Sequence, residues 1–320
     1  MLAERFLLLT ALAASMAAPV SRTNAQKANE GYIASTDSIR LFYRVVGTGR
    51  DTVIAIHGGP GVDLESIYGD FTPLIDHHVV IFYDQRGAGR STLPTDTTLL
   101  TAAAQISDLD AVRRHFKLDR AILVAHSYGP LLAASYAIAH PDHVRAMVLM
   151  GPVPPHRGDF WQRFGQTMRS RMDSAERARS ADANRRLASG ENVRQACRDY
   201  WAIALRPRVY DPDHSLSRIH SDLCASDPAG IRYGLTKTNG AVMGSYGDWD
   251  LRPSLRTLHL PTLIVHGEED AIPMDLVQEW TLIPNSRLVR VPNAAHMLYA
   301  ERPEVVWPEV ERFLGALPGR

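Results

Sequence analysis

Short apolar runs recur along the chain, and each is bounded by turn-forming residues. A run that is apolar throughout, without alternation, is typical of a strand buried on both faces of a parallel sheet. The first two runs are separated by the turn Thr36-Asp37-Ser38 and are predicted to pair with each other. The eight predicted strands are residues 32–34, 39–46, 52–56, 79–83, 121–125, 144–150, 262–265 and 287–291.

Segments with helical spacing lie between these runs. The apolar residues of segment 101–116 fall on roughly one face of a helix, and segment 127–140 is strongly apolar and stops before Pro141. Two later helices are predicted at 275–280 and 303–314. Strands that alternate with helices form βαβ units. The pattern therefore predicts an α/β fold with a mostly parallel eight-stranded sheet and helices on both faces.

The alternation is interrupted between about Pro152 and Trp249. This stretch contains a basic, alanine-rich segment and scattered aromatic residues, and it has no clear strand. We interpret it as a mainly helical cap over the sheet, with the core formed by residues 26–151 and 251–320 and the cap by residues 152–250. The basic segment 169–186 also contains acidic residues, which favours a solvated helix face over a nucleic-acid surface.

The net charge does not point to any class of charged partner, because 35 basic and 35 acidic residues give a net charge of zero over 320 residues. Neither nucleic acid nor an anionic membrane is favoured as a partner. The two cysteines, Cys197 and Cys224, are too few for a disulfide scaffold. They could pair in an exported protein, or be free and structural in a cytosolic one. No histidine or cysteine spacing indicates a metal site, and we expect neither a metal nor a cofactor.

The N-terminus has the pattern of a secretory signal peptide. Arg5 precedes the apolar run 6–18, and small residues follow. The run is shorter than the roughly 20 residues that a membrane-spanning helix needs. We therefore predict a signal peptide at residues 1–25, no membrane span, and export to the periplasm or the medium. A buried or frayed N-terminal helix is the alternative, and the oligomeric state is left open.

The sequence Ala125-His126-Ser127-Tyr128-Gly129 joins a predicted strand to a predicted helix. A nucleophilic serine on a sharp strand-to-helix turn needs small residues two positions before and after it. Alanine replaces one of the two usual glycines here, and Gly129 keeps the other position. Ser127 is thus a candidate nucleophile, and an ordinary helix-capping serine is the alternative.

A serine hydroxyl needs a histidine to accept its proton, and that histidine needs an acid to fix its tautomer. Asp270 follows the strand 262–265, and His296 follows the last strand. The order serine, acid, histidine is that of α/β-hydrolases. His266 as the base and Glu268 or Glu269 as the acid remain alternatives.

A glycine cluster, His57-Gly58-Gly59-Pro60-Gly61, follows the third strand. Backbone N–H groups in such a loop can stabilise an oxyanion, with a second donor from Tyr128, the residue after the nucleophile. A simple tight turn is the alternative. A phosphate loop is disfavoured, because no Gly-Lys-Ser/Thr follows.

Together, HGGPG at 57–61, DQRGAGRS at 84–91, the serine turn, and the segments around Asp270 and His296 resemble the α/β-hydrolase superfamily. Within it, the chain resembles the proline iminopeptidase (prolyl aminopeptidase) family of serine peptidases. The resemblance implies an α/β-hydrolase fold with a helical cap insertion. It implies catalytic Ser127, Asp270 and His296, with Gly59 and Tyr128 as oxyanion donors. We assign substrate contacts to His57, Gly58 and Trp201.

The cap departs from that family, which holds the substrate's free amino group with glutamates. The comparable stretch 201–205 has neither a second tryptophan nor a glutamate, and 237–240 offers Thr238. A buried ammonium without an anionic partner is costly. Whether Glu191, Asp199 or Asp222 substitutes is left open.

Three functions follow from these observations. The first is a serine hydrolase that cleaves an amide or ester bond through an acyl-enzyme, like a proline iminopeptidase, acting on a small molecule or short peptide. The second is a carboxylesterase or other small-molecule acyl hydrolase without selectivity for a free N-terminus. The third is a ligand-binding protein of the same fold without catalysis.

Overall fold

The computed structural model describes residues 28–318, so the predicted signal peptide lies outside the described residues. The eight strands form one sheet in the order β1-β2-β4-β3-β5-β6-β7-β8. The pairs β1–β2 and β2–β4 are antiparallel, and the remaining pairs are parallel. The strands are β1 Asn29–Ala34, β2 Arg40–Val46, β3 Thr52–Ile56, β4 Val79–Tyr83, β5 Ala121–His126, β6 Val144–Met150, β7 Thr262–Gly267 and β8 Ser286–Val291.

The central strands are buried on both faces, as their apolar runs predict. In β3, Ile54 and Ile56 belong to one apolar cluster, and Val53 and Ala55 belong to another. Successive side chains point to opposite faces of a strand, so the two clusters are the two faces of the sheet. The predicted fold class, a mostly parallel α/β sheet with helices on both faces, is confirmed.

Helices of the core cover both faces. Apolar residues of α3 and α4 join the first cluster, and those of α1, α2, α13 and α14 join the second. The four-residue helices α1, α2, α11 and α13 have no signal in the sequence pattern. The core helices are α1 Glu65–Tyr68, α2 Thr72–Ile75, α3 Ala102–His115, α4 Gly129–Ala139, α11 Arg252–Leu255, α12 Met274–Gln278, α13 Leu298–Glu301 and α14 Pro303–Gly315.

A group of helices stands between β6 and β7 and forms the helical insertion. Helix α6 starts at a capping box, in which Asp173 and Glu176 bond reciprocally to backbone amides, and ends at Gly190 in the left-handed conformation. The helices of the insertion are α5 Phe160–Ser170, α6 Ser174–Ser189, α7 Val193–Ala204, α8 Pro212–Ser215, α9 Pro228–Tyr233 and α10 Asn239–Tyr246. A 3₁₀ turn, Arg206–Arg208, follows α7, and a π-helical turn, Gly234–Thr238, joins α9 to α10.

Cys197 and Cys224 are joined by a disulfide, with Cα atoms 5.9 Å apart. The bond ties α7 to the segment before α9, beside the small apolar cluster that contains Leu187 and Ile231. Across residues 28–318, no helix is long and apolar enough to cross a membrane.

Candidate active site

Ser127 occupies a strained turn between β5 and α4. Its φ is +62°, a left-handed conformation that a non-glycine residue rarely adopts. The Ser127 amide donates to the Met150 carbonyl at 2.9 Å, and its carbonyl accepts from the Val153 amide at 2.9 Å. The helix α4 begins at Gly129, so the prediction of a helix from residue 127 is wrong by two residues. Because the Ser127 side chain bonds away from the helix, it is not a helix cap.

Close backbone approaches explain the small residues at this turn. A β-carbon at Gly129 would lie 2.7 Å from the Ile56 carbonyl oxygen, and one at Gly58 would lie 2.8 Å from the Ser127 β-carbon. Both distances are shorter than real contacts of this kind. The turn after β5 and the glycine loop after β3 therefore pack backbone against backbone, next to the Ser127 hydroxyl.

His296 connects Ser127 to Asp270. Its Nδ1 lies 2.8 Å from Asp270 Oδ2, and its Nε2 lies 2.9 Å from Ser127 Oγ. An ionised carboxylate only accepts hydrogen bonds, so Nδ1 carries the proton and Nε2 is left as the acceptor for the serine hydroxyl. The structure thus brings together the three residues that the sequence analysis selected as a catalytic set.

The Asp270 side chain is fully buried, and Oδ1 accepts a 3.0 Å hydrogen bond from the Ile272 amide. Burial alone would raise its pKa, but the charge and hydrogen bond of His296 outweigh burial and lower the pKa to about 2. Asp270 is therefore ionised at neutral pH. Of the alternative acids, Glu268 and Glu269 are both exposed to solvent.

His266, the alternative base, lies behind Asp270. Its Nδ1 is 3.8 Å from Asp270 Oδ2, and its Nε2 donates to the Ile272 carbonyl at 3.1 Å. Burial lowers the pKa of this imidazole. His266 therefore contacts the acid and makes no hydrogen bond to Ser127.

The glycine loop presents backbone to the site. Gly59 has a φ of +105°, a conformation that glycine adopts without strain. Within residues 28–318, the amides of Gly59 and Tyr128 donate no hydrogen bond. Both amides are therefore without a partner there, Gly59 in the loop that packs on the serine turn and Tyr128 directly after Ser127. The Tyr128 side chain is directed elsewhere and donates to Gln105 at 2.7 Å.

His57 is not where its predicted substrate contact would need it. Its ring is fully buried, with Nε2 accepting from the Gln85 amide at 3.2 Å and Nδ1 2.9 Å from the Gly58 carbonyl. Burial lowers the pKa of the ring to about 4, so it is neutral at pH 7. The ring holds the glycine loop from behind and does not line the cavity.

The segment 84–91 supports that loop. Arg86 is completely buried and binds Asp108 through two hydrogen bonds of 2.6 and 2.7 Å. Asp84 accepts from the amides of Leu64 and Arg90, at 2.9 and 2.8 Å. These contacts join the loop after β4 to α3 and to the start of α1. The motif has a structural role next to the site.

A cavity of about 300 Å³ opens over Ser127. Gly58, Gly59 and His296 form its floor, and the helical insertion contributes most of the opposite wall, including the predicted contact Trp201. Of the described residues that line the cavity, none is Asp or Glu. The possible substitute acids lie outside it: Glu191 and Asp222 are exposed, and Asp199 is half-buried and paired with Arg186.

Three residues that sequence reasoning missed hold the base in place. His126 Nε2 donates to the His296 carbonyl at 3.0 Å, and the His296 amide donates to the Arg208 carbonyl at 2.9 Å. Glu301 is buried and accepts from the Ala295 amide at 3.0 Å. The one signal in the sequence was His126, which directly precedes the candidate nucleophile Ser127.

Comparisons with known proteins agree with this architecture. The chain is 27% identical to the proline iminopeptidase of Heyndrickxia coagulans over 90% of this chain and 99% of that one. It is 26% identical to the proline iminopeptidase of Saccharolobus solfataricus over 89% of each chain.

Two solved structures share the fold. One is a thermophilic esterase from Thermogutta terrifontis, with a TM-score of 0.64 and 23% identity over 90% of this chain and 99% of that chain. The other is a proline iminopeptidase from Mycobacterium smegmatis, with a TM-score of 0.63 and 20% identity over 90% of this chain and 98% of that chain. The family model described as the alpha/beta hydrolase fold matches residues 51–303. The chain therefore belongs to the α/β-hydrolase family.

Proposed function

We propose that the protein is a serine hydrolase that cleaves an ester or amide bond through an acyl-enzyme on Ser127. The observation that carries this proposal is the continuous hydrogen-bonded chain from Ser127 Oγ through His296 to Asp270, with links of 2.9 and 2.8 Å. Such a chain serves to transfer a proton from an alcohol during attack on a carbonyl.

In the first half-reaction, Ser127 Oγ forms a bond to the substrate carbonyl carbon while its proton moves to His296 Nε2. The carbonyl π-electron pair moves to oxygen, and the amides of Gly59 and Tyr128 donate to that oxyanion. The tetrahedral intermediate then breaks its bond to the leaving group, which takes the proton from Nε2. Asp270, ionised and buried, stabilises the imidazolium in between.

The second half-reaction repeats these steps with water. Nε2 accepts a proton from the attacking water, and the new tetrahedral intermediate releases the acid and regenerates the Ser127 hydroxyl. Every proton is transferred between groups on this chain, the substrate and water.

The cavity favours an acyl substrate without a free N-terminus. An ammonium group needs an anionic partner, and the described lining residues include no carboxylate. We therefore place small-molecule ester or amide hydrolysis ahead of aminopeptidase activity. Proline iminopeptidase activity is the second candidate, because the curated relatives at 26 and 27% identity carry that name.

Covalent labelling and a substrate panel test these proposals. A fluorophosphonate probe is expected to label wild type and to leave Ser127→Ala unlabelled. p-Nitrophenyl esters of acetate to octanoate are expected to be turned over, and proline β-naphthylamide is not. Preferred cleavage of proline β-naphthylamide would contradict the esterase assignment. Absence of labelling in folded wild type would exclude a serine hydrolase and favour the ligand-binding alternative.

We also propose that the protein is exported. The support is the signal-like pattern at the N-terminus together with the Cys197–Cys224 disulfide, because such bonds persist in oxidising compartments. Fractionation of the native host, with detection of a chain shortened at its N-terminus, tests this. Recovery of the full-length chain from the cytosol alone would contradict it.

A further inference from the structure

The candidate active-site cavity has an arginine in its wall. Arg208 ends the 3₁₀ turn that follows α7 and lines the cavity that opens over Ser127. Its carbonyl accepts the His296 amide at 2.9 Å, so its backbone lies directly beside the base. The residue is partly buried, and burial lowers the pKa of its guanidinium. A guanidinium nevertheless stays protonated at any pH at which proteins fold.

Within the described part of the chain, Arg208 has no carboxylate in ion-pair contact. One N–H group bonds to the Ala204 carbonyl at the end of α7, and the guanidinium carbon lies 5.9 Å from the centre of the Phe164 ring. The nearby Asp270 is already bonded to His296. Capping α7 is a structural role for Arg208, but it engages only one of five donors. Most other half-buried arginines are paired, as Arg145 is with Asp51 and Arg90 with Glu65.

A second donor without a partner lies beside the same cavity. Trp201 lines the same cavity, and its indole Nε1–H is buried without a hydrogen-bond acceptor among the described residues. The guanidinium therefore gives the cavity a positive charge and unused donors, whereas no lining residue in the described chain offers a carboxylate.

We propose that Arg208 binds a carboxylate carried by the substrate, so that the protein prefers esters or amides with an anionic group on the acyl or the leaving side. This inference rests on the proposed hydrolase function and names its substrate class. Arginine presents a planar pair of N–H donors that matches a carboxylate in bidentate geometry. One guanidinium in a mostly apolar cavity of about 300 Å³ compensates a single negative charge, which favours a monocarboxylate over a phosphate dianion.

Matched ester pairs test this proposal. On the acyl side, mono-p-nitrophenyl adipate is compared with p-nitrophenyl hexanoate. On the leaving side, 4-butanoyloxybenzoate is compared with 4-butanoyloxybenzamide. The quantity measured is the ratio of kcat/KM for the anionic ester to kcat/KM for the neutral one, with Ser127→Ala giving the background rate.

In wild type, the ratio is expected to exceed one for at least one pair. Arg208→Gln is expected to lower that ratio by about tenfold or more, since a hydrogen bond to a charged group contributes about 1.5–3 kcal/mol. Arg208→Lys is expected to retain part of the preference for the anionic ester, because lysine keeps the positive charge but lacks the planar pair of N–H donors. Arg206→Gln is the matched control: Arg206 is two residues away and pairs with Glu176 outside the cavity, so its ratio is expected to equal that of wild type. Equal ratios in wild type and Arg208→Gln for both pairs would overturn the proposal.

A binding measurement separates this inference from the hydrolase function. In the Ser127→Ala background, calorimetry compares adipamate with hexanamide, which differ only in the terminal carboxylate. Tighter binding of adipamate that disappears in Ser127→Ala/Arg208→Gln supports the carboxylate site even if no ester is turned over. Ester turnover together with equal binding of the two amides would leave the hydrolase standing and contradict the carboxylate site.

Discussion

The Nε2–H of His126 donates a 3.0 Å hydrogen bond to the main-chain carbonyl oxygen of His296. The residue before the candidate nucleophile therefore holds the backbone of the candidate base. The two rings pack with their centres 4.8 Å apart, and Tyr299 packs edge-on against His126 at 4.9 Å. The hydrogen bond and the ring packing together fix the distance between the turn that carries Ser127 and the loop that carries His296.

His126→Phe is expected to lower kcat about tenfold or more, because a small displacement of the base weakens proton transfer. KM is expected to change as well, because His126 also lines the cavity over Ser127, so kcat is the quantity that reports on the position of the base. The free energy of unfolding should fall by about 1–3 kcal/mol, because the His296 carbonyl loses a buried donor. Steady-state kinetics and urea unfolding measure both effects. His140→Phe, at the far end of α4, serves as the control, and an unchanged kcat in His126→Phe would refute the positioning role.

The His126→Phe variant is also expected to differ from wild type in how its stability depends on pH. Burial, reinforced by the neighbouring His296, lowers the pKa of His126 from its ordinary 6.5 to about 3. Between these values the unfolded chain binds a proton that the folded chain does not, so the stability that His126 provides is complete above pH 6.5 and is lost as the pH falls. Wild type should therefore lose stability faster than His126→Phe between pH 7 and pH 4. Urea unfolding across this range checks it, and parallel curves would contradict the buried neutral state.

Asp270→Asn is expected to reduce kcat by about 10⁴-fold while the fold is retained, because the amide presents the wrong hydrogen-bonding partner to His296 Nδ1. Glu268→Gln and Glu269→Gln are matched controls that also remove a carboxylate, from exposed positions on the same loop. They should retain nearly full activity. A large loss in either control, with an active Asp270→Asn, would move the role of the acid to the neighbouring residue.

The strands and the three candidate catalytic residues could be predicted from the sequence, because each is marked by a short local pattern. Apolar runs marked β3 and β4 with their observed bounds, since burial on both faces favours apolar residues at nearly every position. Ser127, Asp270 and His296 each follow a strand, and the carboxyl ends of parallel strands meet at one edge of the sheet. Topology alone therefore brought them together.

The contacts that hold the candidate catalytic residues in place could not be predicted from the sequence, because they join positions far apart in the chain. His126 and the His296 carbonyl are separated by 170 positions, and no local pattern encodes that pairing. The sequence predicts a substrate contact for His57, but its ring turns inward to Gln85. Arg208 went unnoticed since its cavity is formed by the insertion, where helix packing decides which side chains face Ser127.

Gly58→Ala is expected to lower kcat/KM by about tenfold or more with the fold intact. The added methyl group would lie 2.8 Å from Ser127 Cβ and 3.3 Å from its Oγ, so the serine or the oxyanion loop must shift. Gly240→Ala is the matched control, because a β-carbon there meets no atom within 4 Å. Kinetics and thermal melts of both variants provide the test, and equal activities would show that the loop yields without cost to catalysis.

The disulfide predicts a stability difference that depends on oxidation. Cys197 and Cys224 are 27 positions apart, and closing a loop of that length stabilises the folded state by about 3–4 kcal/mol in the chain-entropy description. Cys197→Ser/Cys224→Ser should therefore melt at a lower temperature than oxidised wild type and respond to dithiothreitol no further. Because α7 also carries Trp201 into the cavity wall, the same variant should show a higher KM with a smaller change in kcat. Intact mass under non-reducing conditions establishes the bond in wild type. Two free thiols in wild type would contradict the presence of the disulfide. A melting temperature that does not change with dithiothreitol would show that the disulfide does not stabilise the helical insertion.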